Sequence, residues 1–94
     1  MSVTAVVLIK AKTREIGALA AALAELEGVV DVYSVAGRYD LVAIVRAPRN
    51  EDLAEIISAR MHKAAGIVDS ETLISFRVYR NSELEAGFSL GMDA

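Results

Sequence analysis

Hydrophobic and polar positions follow two rhythms along this chain, one of strand period and one of helix period. Ala5–Ala11, "AVVLIKA", is a β-branched run of strand length. Thr13 reads as an N-cap, and in the following "REIGALAAALAELEG" Ile16, Leu19, Ala20, Leu23 and Leu26 recur at helical spacing until Gly28 stops them. The alanines suit a helix lying close against a sheet, although Gly17 within it has no evident reason. Val29–Ala36, "VVDVYSVA", alternates, with Val30, Val32 and Ser34 on one side and Asp31, Tyr33 and Val35 on the other. Leu41–Ala47, "LVAIVRA", is nearly continuous, and the short connection between these runs predicts an antiparallel hairpin. Pro48 ends the strand and Asn50 reads as the cap of a second helix. That helix carries Leu53, Ile56, Ile57, Met61 and Ala64 on one stripe and ends at Gly66. Ser70–Arg80 reads as the last strand, with Thr72, Ile74, Phe76 and Val78 facing one way.

The element order is β-α-β-β-α-β, which predicts an α+β, ferredoxin-like sandwich over residues 1–80. Residues 81–94 have weak periodicity and are expected to be a loose tail or a segment docking on a neighbouring subunit. In this topology the first and third strands are central, and these are the two continuous aliphatic runs.

Right-handed crossovers put both helices on one face of the sheet. An exposed second face should be polar at every other position. Here Val3, Ala5, Val7 and Ile9 oppose Val6 and Leu8, and Leu41, Ala43 and Val45 oppose Val42 and Ile44. Both faces of the central strands are apolar, yet there is one layer of helices. The expected solution is a homodimer stacked sheet on sheet about a twofold axis, a dimeric α/β-barrel. The tail is a poor substitute: Phe88, Leu90 and Met92 could cover part of the face, but the segment is short and holds two glycines.

Composition narrows the function. Of the 94 residues, 54% are hydrophobic and 24% charged, which fits one folded domain. The net charge of -3 argues against a domain that grips nucleic-acid phosphates. There is no cysteine, so disulfides and thiolate chemistry are excluded. The apolar start is too short for a signal sequence or a membrane span, so a cytoplasmic protein without membrane contact is expected.

Catalysis finds little support. His62 is the single histidine and falls opposite the apolar stripe, where a solvated side chain is expected. Glu51, Asp52 and Glu55 crowd a helix start, where the dipole favours acids, and they make a weak metal site at best. Glu25 and Glu27 at the other helix end read as solvated. No glycine-rich phosphate loop follows a strand. No metal or cofactor is expected, and the chain reads as a non-enzyme. The alternative is a small cofactor-free enzyme of the dimeric α/β-barrel class.

One polar knot interrupts the hairpin: "GRYD", Gly37–Asp40. Joined to this element order, it resembles the effector-binding domain of the Lrp/AsnC family, the domain for regulation of amino-acid metabolism. That family's Gly-x-Tyr-Asp pattern is met by Gly37, Tyr39 and Asp40. Its Gly-Val-x-x-Thr-x-Thr stretch is met more loosely in "GIVDSETL", by Gly66, Val68, Ser70 and Thr72. The resemblance covers residues 3–80. It implies dimers assembling into octamers or decamers, with an amino acid bound between dimers by Gly37, Arg38, Tyr39, Asp40, Ser70 and Thr72. Family regulators carry an N-terminal helix-turn-helix, whereas this sequence starts at the first strand. A sensor without its own DNA contacts, or a partner of full-length regulators, is therefore expected.

The chemistry suits a zwitterion. Asp40 can accept from an ammonium, backbone around Gly37 can approach a carboxylate, and Ser70 and Thr72 supply neutral hydroxyls. Tyr39 could be a stacking wall or a hydroxyl anchor. Each residue also has a purely structural use: Gly37 to permit its φ, Asp40 to cap the turn, Tyr39 to pack under the hairpin. Arg38 is a solvated turn residue or a carboxylate partner.

Overall fold

A computed structural model describes residues 2–81, and the tail residues Phe88, Leu90 and Met92 lie outside that range. The elements are β1 (Val3–Ala11), α1 (Ile16–Ala24), β2 (Val29–Ser34), β3 (Leu41–Ala47), α2 (Asn50–Glu55) and β4 (Ile67–Ile74). α2 continues through a wide π-type turn at Ile56–Arg60 and a tight one at Met61–Lys63. The four strands form one antiparallel sheet in the order β2-β3-β1-β4. The two aliphatic strands are central, as their sequence requires.

One face of the sheet is the core. Ala5, Val7 and Ile9 of β1 and Leu41, Ala43 and Val45 of β3 are buried there. Leu19 and Leu23 of α1 and Leu53, Ile56, Ile57 and Met61 of the second helical stretch cover them. The wide turn lets adjacent Ile56 and Ile57 both reach this core: the Met61 N–H is shared between their carbonyls. The other face keeps Val6, Leu8, Val42 and Ile44 only half-buried. Register lines up Tyr33, Val42, Leu8 and Glu71 in one row across it, and Asp31, Ile44, Val6 and Leu73 in the next.

Local expectations fail at four points, each for a physical reason. Thr13 does not cap α1; it opens a tight turn, Thr13–Glu15, closed by the Glu15 N–H on the Lys12 carbonyl at 2.9 Å, and the helix starts after it. Asn50 is the first residue of α2, after an extended Arg49 whose Nε meets Asp52 Oδ2 at 3.2 Å, so an ion pair holds the first turn instead of a cap. A bulge in β2 between Val29 and Asp31 turns Val30 outward, 46% exposed, while Val29 and Val32 pack on the core. The last strand runs Ile67–Ile74 and stops short of Arg80, because β1 supplies its last partner near Thr4, whose carbonyl accepts from Ser75 N–H at 2.9 Å.

Candidate functional site

The Gly37–Asp40 turn is held by backbone first. Val35 N–H donates to the Asp40 carbonyl at 3.0 Å, closing the β2–β3 connection, and Asp40 N–H donates to the Ile9 carbonyl at 2.9 Å. Gly37 has φ 147°, with no atom near the position its Cβ would take. The backbone conformation, and not lack of space, asks for glycine here.

Asp40 does more than end the turn. Its Oδ2 accepts the Ala11 N–H at 2.8 Å. The last residue pair of the β1–β3 ladder is Ile9 with Leu41. The carboxylate thus supplies the acceptor for the next N–H along β1, where the backbone of the turn has already veered away.

Tyr39 leaves the same turn in the direction of β4. Its hydroxyl donates to Glu71 Oε1 at 2.7 Å. Glu71 stands opposite Leu8, on the open face of the sheet. The hydrogen bond to Glu71 raises the Tyr39 pKa above its ordinary 10.0, with desolvation and the Glu71 charge adding to it; Arg38 opposes and Asp69 adds a little. Lys10 reaches the Arg38 carbonyl with a long 3.4 Å contact. Both signs of charge therefore gather at this end of the sheet: Lys10 and Arg38 beside Asp40 and Glu71.

Ser70 and Thr72 lie elsewhere on β4. They pair with Ile9 and Val7, whose side chains face the helices. Ser70 Oγ is 3.1 Å from His62 Nε2, so the exposed histidine expected to be merely solvated has a partner. Thr72 opens into a cleft of about 530 Å³ between α2 and β4. Within one chain the turn and the two hydroxyls are thus on opposite sides of the same strand. A second cleft, about 430 Å³, lies at the far end of the sheet among Glu27, Arg46, Asp52, Glu55 and Arg60.

Two residues of this region escaped the sequence reading, Glu71 and the pairing role of His62. Strand alternation held the signal for Glu71: between Ser70 and Thr72 it must face away from them. Nothing in the sequence placed His62 beside Ser70. Among the described residues no group of three or more His, Asp or Glu could hold a metal, and no helix is long and apolar enough to cross a membrane.

A model of the Lrp/AsnC ligand binding domain matches residues 4–84. The chain belongs to the Lrp/AsnC ligand-binding domain family. TTHA0845 from Thermus thermophilus is 42% identical over 84% of this chain and 99% of its own, with a TM-score of 0.79. E. coli AsnC shares the fold at a TM-score of 0.76 and 21% identity, over 84% of this chain and 55% of its own. A feast or famine regulatory protein of M. tuberculosis, Rv3291c, solved with L-methionine, aligns over 84% of this chain and 53% of its own at a TM-score of 0.71 and 24% identity. The uncharacterized HTH-type transcriptional regulator PH1916 of Pyrococcus horikoshii is 33% identical over 54 residues, 57% of this chain and 36% of its own. The matched stretch is thus about a third of that regulator's length.

Proposed function

We propose that this domain binds a free amino acid and acts as a regulatory sensor, not an enzyme, in the cytoplasm. The observation that carries the proposal is the Tyr39–Glu71 hydrogen bond, which ties the family's Gly-x-Tyr-Asp turn to the last strand amid charges of both signs. A zwitterion needs an acceptor for its ammonium and a donor for its carboxylate. Glu71 and the second oxygen of Asp40 serve the first need, and Arg38 with backbone near Gly37 the second. L-methionine in Rv3291c supports an amino acid as the ligand class.

Ser70 and Thr72, turned away from the turn of their own chain, join the pocket from a neighbouring copy. That requires assembly, and the half-buried plate of Val6, Leu8, Val42 and Ile44 supports pairing of two copies face to face. Rings of such dimers, octamers or decamers, then bring one turn to another chain's β4. Output goes through co-assembly with full-length regulators of the same family.

Isothermal calorimetry against the twenty common amino acids tests this directly. Micromolar to millimolar binding by at least one of them is expected, weakened tenfold or more in Glu71→Gln. Silence across the whole set at millimolar concentration sinks the reading.

A further inference from the structure

The contact between His62 and Ser70 lies away from the turn and its charges. His62 belongs to the tight turn Met61–Lys63, whose first residue is locked in the core: the Met61 side chain is buried, and its carbonyl accepts the Ala64 N–H at 3.0 Å. With that neighbour fixed, the His62 ring stays exposed and its Nε2 lies 3.1 Å from Ser70 Oγ. Ser70 is half-buried on an end strand, and its own N–H already donates to Asp69 Oδ1 at 2.9 Å. The hydroxyl is thus the donor that Ser70 has left for a ligand.

A serine hydroxyl can donate or accept, and the imidazole decides which. The imidazolium and the Nε2–H tautomer, the commoner one of a solvated ring, both donate to Ser70 Oγ. The proton of Ser70 then turns away from the ring. A ligand arriving from the open side meets a donor.

We propose that His62 is a positioning residue of the amino-acid pocket: by fixing Ser70 as a donor, it selects effectors whose side chain ends in a carbonyl or carboxylate oxygen. The inference rests on the amino-acid reading, in which the turn of one copy meets β4 of another. There the turn supplies partners for both α-groups, Glu71 and Asp40 for the ammonium and Arg38 for the carboxylate. The hydroxyl side is left to read the side chain. Thr72 shares the face of Ser70 and opens on a cleft floored by Leu53 and Ile57, which suits an aliphatic stem leading to that oxygen. A site built around a fixed donor discriminates against a ligand that leaves the donor unpaired.

L-glutamine and L-methionine are the probes, because their side chains are of equal length and only glutamine ends in a carbonyl oxygen. Calorimetry on the full chain is expected to find glutamine bound about fivefold more tightly than methionine. His62→Leu should erase that ratio, whereas His62→Gln, whose amide N–H can reach Ser70, should keep it. Ser70→Ala should erase it too, and His62→Leu added to Ser70→Ala should change it no further, as for a residue acting through another. A merely structural role would weaken both ligands alike and leave the ratio. An unchanged ratio in His62→Leu, or methionine binding the natural chain as tightly as glutamine, overturns this inference and leaves the amino-acid reading standing. Silence from both ligands overturns it as well, and the amino-acid reading falls with it only if the remaining amino acids are silent too.

Discussion

The carboxylate of Asp40 takes the N–H of Ala11 at 2.8 Å and so extends, with a side chain, a ladder that the backbone has left. The residue that resembles a ligand contact in sequence is therefore also a structural tie. Removing it strands a partly buried N–H, which costs about 1–3 kcal/mol. Asp40→Ala is expected to lower the melting temperature by several degrees in a thermal scan, and Asp40→Asn, which keeps an acceptor, by less than half as much. Equal losses for both variants would show that the tie contributes little.

Tyr39 offers a pH test. Its pKa lies above the unfolded value of 10.0, chiefly because the hydroxyl donates to Glu71. The fold thus favours the protonated phenol. Its contribution to stability is complete below pH 10 and is lost as the pH rises through the raised value. An absorbance titration at alkaline pH should find the Tyr39 phenol, identified as the signal lost in Tyr39→Phe, ionising above 10.0. Glu71→Gln should bring that ionisation back toward 10.0, and an unchanged curve would show that Glu71 is not the cause.

The open sheet face makes a claim about assembly. Ile44 lies between Asp31 and Val6 in the middle of that face and is half-buried without a partner chain. Ile44→Glu should leave the helix-side core untouched and keep the circular dichroism spectrum. Light scattering at micromolar concentration should then find single subunits where the natural chain forms dimers or larger species. A natural chain that is itself monomeric there removes the face-to-face arrangement.

Two glycines separate crowding from backbone strain. A Cβ at Gly28, φ 96°, would collide with the Ile56 side chain and press on the Arg46 carbonyl, whereas one at Gly37 meets nothing within 4 Å. Gly28→Ala should therefore cost ~2–4 kcal/mol and Gly37→Ala only ~1 kcal/mol, read as midpoint shifts in urea. Comparable costs would mean that the Ile56 contact relaxes freely.

The sequence made the architecture legible because its central strands are apolar on both sides and its helices keep strict stripes. Strand order followed from the element order and the two aliphatic runs, the helix-side core from Ala5, Val7, Ile9, Leu41, Ala43 and Val45, and the open face from Val6, Leu8, Val42 and Ile44. What escaped was local: the Val30 bulge, the missing caps at Thr13 and Asn50, and the early end of β4 at Ile74. Each depends on which backbone partner is available, and that is a property of the assembled sheet. At the candidate site the turn was visible in sequence, whereas the Tyr39–Glu71 and His62–Ser70 contacts join residues that only the folded register brings near.

That register has one more consequence. β4 presents an acid at position 71 to one side and hydroxyls at 70 and 72 to the other, and an end strand is the easiest to slide. A slip by a single residue would trade these chemistries between the two surfaces. The irregularity where Lys10 gives way to Ala11 pins the strand against that motion and so keeps the negative charge on one surface.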